Sequence, residues 1–186
     1  AGVSASQVEM QYGIQFYDGI TTAEIQEILI RSASDLIDLD HPNYQFVAAR
    51  LLLFALRKQI YGRIHDTPSL KKHVESCIER GVYDPEILNL YSDEEFDKLD
   101  SYIDHHRDYL FTYAGLRQVV DKYLVQDRSS GAQYETPQFM YLLIAATIFS
   151  KYPKETRLDY VKKYYDAISR HKINIPTPIM AGVRTP

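Results

Sequence analysis

The chain has 186 residues, of which 45% are apolar and 25% charged, ordinary proportions for a soluble globular protein. At this length about 70% of the unfolded surface can be buried, so neither a metal nor a disulfide is needed for stability. Twenty-one Lys and Arg against 25 Asp and Glu leave a net charge of −4, which excludes nucleic-acid binding through a broad cationic field.

The lone cysteine, Cys77, excludes an internal disulfide framework and fits a reducing compartment. No apolar run approaches the roughly 20 residues that span a bilayer, and the N-terminus carries no secretory signal. The expectation is a cytoplasmic protein without membrane or nucleic-acid partners.

In chain order, Ser6-x-x-Glu9 reads as a capping box opening a short helix to about residue 17, ended by Asp18-Gly19. Thr21-x-x-Glu24 is a second box, followed by Ile25, Ile28, Leu29, Leu36 and Ile37 at helical spacing. His41-Pro42-Asn43 breaks the chain, and a long helix is predicted over 44–61 with Gly62 closing it. Thr67-Pro68 predicts an N-cap with proline at the first helical position, and Gly81 a stop. Asp84-Pro85 opens a short helix, Ser92-Asp93-Glu94-Glu95 a helix to about residue 104, and a further helix is predicted over 113–122.

Residues 123–135 read as strand, turn and strand, the one credible β-hairpin. Thr136-Pro137 restarts a helix whose interior, from Phe139 to Phe149, is almost wholly apolar and must be buried on most sides. A last amphipathic helix covers 154–170. The end of the chain, 171–186, carries two closely spaced X-Pro steps, at Pro176 and Pro178, and is predicted to be extended, with Ile175, Ile179, Met180 and Val183 exposed for burial against something outside the chain. The fold class is therefore mainly α: an irregular multi-helix domain with one short β-hairpin and an extended C-terminal segment.

Few residues point to chemistry. Asp104-His105-His106-Arg107-Asp108 is the densest polar cluster, but no second ligand pair stands at metal-binding spacing, so a salt-bridged helix end is expected and no metal site. Cys77 has only Glu75 and Glu79 nearby and reads as a buried filler, not a nucleophile. The 16 tyrosines are expected at the core boundary, ring inside and hydroxyl at a polar partner. No Gly-rich phosphate loop is present. Two weaker pieces suit a phosphate: Gly19-Ile20-Thr21-Thr22 feeds a helix N-terminus, and Arg57-Lys58 near the end of the next long helix offers counter-charge.

Five segments carry a resemblance: Phe16-Tyr17-Asp18-Gly19-Ile20, Asn43-Tyr44-Gln45-Phe46-Val47-Ala48-Ala49-Arg50-Leu51, Lys122-Tyr123-Leu124-Val125, Tyr134-Glu135-Thr136-Pro137-Gln138-Phe139 and Pro176-Thr177-Pro178-Ile179-Met180-Ala181-Gly182-Val183-Arg184-Thr185-Pro186. Together they resemble the large (alpha) subunit of class Ia ribonucleoside-diphosphate reductases of the enterobacterial and T-even phage type, in order and over essentially the whole chain.

The resemblance implies a piece of a longer enzyme that reduces ribonucleoside diphosphates to deoxyribonucleoside diphosphates by thiyl-radical chemistry for DNA synthesis. Residues 1–63 would be ATP-cone helices without their opening hairpin, 64–170 a helical domain, and 171–186 a lead-in to a catalytic barrel. ATP and dATP would be allosteric effectors, with Thr22 and Lys58 as nucleotide contacts and Thr177 as a contact to the substrate diphosphate. Gln26 and Ala55 stand where enterobacterial members carry cone histidines. No residue here corresponds to a catalytic cysteine, so no catalytic residue is assigned and the chain alone is expected to be inactive, with little dATP binding. Implied partners are the barrel of the same subunit, a second alpha subunit, and a beta subunit holding a di-iron tyrosyl radical; no cofactor is expected in the chain itself. Two alternatives stand beside this reading: a stand-alone helical interaction module, and a naturally split reductase.

Overall fold

The computed structural model describes residues 2–13 and 15–186 and is mostly helical, its regular structure being helix apart from one β-bridge among the described residues. The α-helices are α1 (Ala5–Gly13), α2 (Thr22–Asp35), α3 (Tyr44–Tyr61), α4 (Leu70–Glu79), α5 (Ile87–Leu90), α6 (Asp93–Ser101), α7 (Tyr113–Lys122), α8 (Pro137–Phe149), α9 (Lys154–Ser169) and α10 (Thr177–Gly182). A 3₁₀ helix, His105–Leu110, lies between α6 and α7.

Helix α8 is the central element. Every side chain from Pro137 to Ala146 is buried, as its unbroken apolar interior requires. It packs on α9, on the 3₁₀ helix and on α10, while α3 packs on both α2 and α7. Leu52, Leu53 and Leu56 of α3 share one hydrophobic cluster with Leu70 and Val74 of α4, Leu116 and Val120 of α7, and Leu142 and Ile144 of α8. Each fully buried aliphatic side chain in it contributes about 1.5–3 kcal/mol relative to exposure. Residues on both sides of position 63 therefore sit in one continuous core.

Locally encoded boundaries are realised. Thr21 and Ser92 each form a complete capping box, with Glu24 and Glu95 as the reciprocal partners. Gly62 closes α3 in the left-handed region at φ 70°, and Gly81 follows α4 at φ 71°. Helix α9 ends without a glycine: His171 adopts φ 56°, with its N–H donating to the Ile168 carbonyl and that of Lys172 to the Ala167 carbonyl, a Schellman arrangement. Half of the 16 tyrosines lie at the core boundary as expected, while Tyr17, Tyr152 and Tyr160 are exposed and five are fully inside. Tyr83, Tyr91 and Tyr165 are buried, with their hydroxyls bonded to Glu135, the Ala146 carbonyl and Gln138.

Several expectations are corrected. Helix α1 starts at Ala5, not behind a Ser6 cap, because the first helical bond runs from Val8 to the Ser4 carbonyl and the Ser6 hydroxyl is paired with that of Ser4. It does not continue over 15–17, where Gln15 closes a turn on Tyr12; Ile14, within the expected helix, lies outside the described residues. Thr67-Pro68 does not open α4. The Leu70 N–H is capped instead by the Asp100 carboxylate of α6 at 2.9 Å, so the helix starts two residues later. Helix α6 stops at Ser101, and Asp104 starts the 3₁₀ helix by accepting from the His106 N–H.

Among the described residues the hairpin reduces to a single antiparallel bridge, Gln126 with Gln133, because the Asp127 carboxylate folds the chain at once by accepting from Ser129 and Ser130.

The C-terminal segment is not extended throughout. Thr177–Gly182 is a helix, with Pro176 at its N-cap and Pro178 in its first turn, where a missing N–H costs nothing. Nor do Ile175, Ile179, Met180 and Val183 form an exposed patch: all four are half-buried against the chain's own core.

Candidate functional site

The three residues singled out by sequence lie at helix ends. Thr22 is the first residue of α2, directly after the capping Thr21, and its side chain is exposed. The box beside it is occupied: Thr21 Oγ1 accepts from the Glu24 N–H at 3.2 Å, and a Glu24 carboxylate oxygen accepts from the Thr21 N–H at 2.8 Å. The Thr21 hydroxyl, which donates to the same carboxylate at 2.7 Å, together with the Thr21 N–H and the Tyr17 hydroxyl, holds the Glu24 carboxyl below its ordinary value. Lys58 lies in the last turn of α3, exposed, with its carbonyl closing the Gly62 cap. Among the described residues, the structure brings neither Thr22 nor Lys58 into a side-chain hydrogen bond or ion pair. Thr177 opens α10 at the other end of the chain, its hydroxyl 3.5 Å from that of Tyr123.

A cleft of about 560 Å³ runs between α2, α3 and α7. Gln26 and Arg31 line it from α2, Ala55 and Gln59 from α3, and Tyr113 and Arg117 from α7. Thr22 and Lys58 do not line it, although Gln26 lies one turn beyond Thr22 and Gln59 next to Lys58. The cleft volume falls in the range of small-molecule sites, with a lining more polar than most such sites have. Its cations are partly committed, Arg117 pairing with Asp121 at 2.9 Å.

Two buried polar networks lie outside this cleft; the sequence marked the 104–108 cluster of the first but not its partners, Arg57 and Gln138, nor the pairing in the second. In the first, Arg57 of α3 donates to Asp108 at 3.1 Å and to the His105 carbonyl at 3.2 Å. Asp108 also accepts from Gln138 of α8, whose own oxygen accepts from the Tyr165 hydroxyl of α9 at 2.7 Å. Burial pushes the Asp108 carboxyl up to about 6 against the opposing pull of Gln138 and Arg57. The expected salt-bridged end at 104–108 is thus present, completed by Arg107 on Asp166 at 2.7 Å.

In the second network, Arg184 from the C-terminal segment and Glu135, just before α8, form a buried ion pair. Burial would raise the Glu135 carboxyl, but the charge and hydrogen bonds of Arg184 hold it below its ordinary value. The Tyr83 hydroxyl donates to the same carboxylate and is itself bonded to His73. The His73 ring stacks on Phe139 at 4.2 Å, and burial lowers its pKa to about 4. Cys77, beside it, is buried, its thiol pushed up to about 12 by burial, which suits a filler and not a nucleophile. The only sequence signal for this network was an isolated charge, Glu135 or Arg184, set among aromatic and apolar neighbours. Among the described residues no cluster of His, Cys, Asp and Glu is arranged to hold a metal, and no helix is long and apolar enough to cross a membrane.

Comparison with known proteins matches residues 3–59 to the ATP cone domain and residues 109–186 to the ribonucleotide reductase all-alpha domain. The chain is 54% identical over 184 residues to ribonucleoside-diphosphate reductase 1 subunit alpha of Escherichia coli and 55% identical over the same length to the subunit alpha of Haemophilus influenzae, covering 99% of this chain and 24% of each relative. The subunit alpha of enterobacteria phage T4 is 46% identical over 187 residues, covering 100% of this chain and 24% of the phage protein. The chain thus spans about a quarter of the length of the curated relatives it matches.

Proposed function

The chain belongs to the family of ribonucleoside-diphosphate reductase alpha subunits, and from that premise we propose that it is the regulatory and helical N-terminal part of such a subunit. The observation that carries this reading is the order of two matches on one chain, an ATP cone over 3–59 followed by the reductase all-alpha domain over 109–186. The complete subunit reduces ribonucleoside diphosphates at the ribose 2′-carbon by thiyl-radical chemistry housed in a barrel beyond this chain. Its partners are a second alpha subunit and a beta subunit holding a di-iron tyrosyl radical. The setting is cytoplasmic, in keeping with a sole cysteine that is free and buried. Residues 1–63 serve as cone helices, 64–170 as the helical domain, and 171–186 as the lead-in to the barrel, with α10 inside it.

The cone residues fit a nucleotide effector, ATP or dATP. Thr22 and Lys58 offer an exposed hydroxyl and an exposed ammonium that no neighbour among the described residues engages, as a phosphate contact requires. The Thr21–Glu24 box already occupies part of the amide end of α2, so the polyphosphate is held by these side chains at the helix flank and not by the helix dipole. The cleft lined by Gln26 and Ala55 has room for base and ribose. Thr177, exposed at the start of α10, donates its hydroxyl to the substrate diphosphate. Equilibrium dialysis of labelled dATP against the complete subunit tests the effector assignment: Thr22→Ala combined with Lys58→Glu should weaken binding at least tenfold, and unchanged binding would remove both residues from the site.

A further inference from the structure

We propose that the buried Glu135–Arg184 pair is a positioning latch: it fixes α10 on the helical body so that Thr177 is presented to substrate in one orientation. The proposal rests on the reading of Thr177 given above.

Helix α10 has six residues, far too few to be stable alone. Its apolar side chains are only half-buried, which leaves its direction weakly specified. Arg184 supplies what they do not. Its Nε donates to both Glu135 oxygens, at 3.1 and 2.9 Å, and Nη2 bonds the same carboxylate. Nη1 donates to the Met180 carbonyl within α10 at 2.6 Å, and Nη2 also reaches the Tyr123 carbonyl at the end of α7, 3.0 Å away. One planar guanidinium thus grips the last turn of α10, the end of α7 and a buried anion together, a fixed fork geometry that lysine does not reproduce. The Arg184 carbonyl in turn accepts from the Asp84 N–H at 3.1 Å.

The anchor itself is buried and bonded on every side that Arg184 leaves open. Glu135 is fully buried and is held from the far side by the Tyr83 hydroxyl and by the Val125 N–H at 2.8 Å. At the other end of the segment Pro176 and Pro178 fix φ on either side of Thr177. Tyr123 meets both ends: its carbonyl takes the Arg184 bond, and its hydroxyl faces Thr177 at 3.5 Å. Replacing a buried ion pair by an apolar pair of similar volume is often neutral or stabilising, so the role assigned to this pair is direction and not stability.

The test uses the complete subunit with its beta partner and four variants. Glu135→Gln and Arg184→Lys should each raise KM for the ribonucleoside diphosphate at least tenfold while kcat stays within threefold and dATP affinity is unchanged. The apolar pair Glu135→Leu with Arg184→Met should recover the melting temperature yet keep the raised KM. A normal KM in that double variant would overturn the proposal, leaving the pair a packing feature. Thr177→Val tests the underlying reading separately, since an unchanged KM there removes Thr177 from the substrate site. The latch has its own readout in hydrogen exchange of the 186-residue chain: amides 179–183 should exchange at least tenfold faster in Glu135→Gln, and unchanged protection would refute it.

Discussion

Replacing His73 with glutamine should remove a large part of the acid sensitivity of the fold. The ring is buried, with Nε2 3.0 Å from the Tyr83 hydroxyl, Nδ1 3.3 Å from that of Tyr61, and its face on Phe139. Burial lowers its pKa from 6.5 to about 4; Glu135 pulls upward, while His105, Arg184 and Arg80 push further down. The unfolded chain therefore takes up the proton first as pH falls. Stability from this group is fully present above the unfolded value of 6.5 and drains away toward about 4. At about 1.4 kcal/mol per unit, the loss between pH 7.5 and 4.5 is about 2.5 kcal/mol. His105, also lowered to about 4 by burial, adds a loss of the same sign; Asp108, raised to about 6, acts oppositely and stabilises as pH falls. Both are present in wild type and variant, so they cancel in the comparison. Urea unfolding at the two pH values gives the difference: His73→Gln should lose about 2.5 kcal/mol less than wild type. Equal losses would show that His73 is not held neutral, and the argument from its burial would fail.

Three further outcomes follow from single contacts. Arg57→Met leaves Asp108 buried with only Gln138 as a partner and should cost about 3–5 kcal/mol by chemical denaturation, whereas Asp108→Asn should cost less because Arg57 keeps the His105 carbonyl. Phe139→Ala removes a fully buried ring that touches His73, Tyr61 and His105, and should cost about 3–5 kcal/mol in the same assay. Gly62→Ala meets no atom within 4 Å, so its cost, about 1 kcal/mol in thermal unfolding, comes from φ 70° alone, and Gly62→Asn should recover part of it.

What could be read from the sequence divides by range of interaction. Helices α3, α7 and α8 stand where apolar spacing puts them, and the Thr21 and Ser92 boxes are realised because both halves of each box lie within four residues. Thr67-Pro68 misled because the actual cap of α4, Asp100, comes from 30 residues away. The C-terminal prolines misled in another way: X-Pro disfavours helix for the residue before it, yet Pro176 and Pro178 occupy the two places at a helix start where proline is tolerated. The apolar side chains that follow them were legible as buried, but not what buries them. At the candidate sites Thr22 and Lys58 were legible as a weak phosphate pair, a helix start and a cation near a helix end, whereas Thr177 came only through family resemblance, because a lone Thr carries no local signature. Glu135 and Arg184 are 49 residues apart, and no periodicity links them.

The most direct test is CDP reduction by the complete subunit with its beta partner, titrated with dATP. The account predicts that wild type turns over and is inhibited by dATP, and that Lys58→Glu with Thr22→Ala keeps turnover but escapes inhibition. Inhibition of the double variant at the wild-type dATP concentration would contradict the assignment of these cone residues. An absence of CDP reduction by the wild-type protein would contradict the proposed function itself.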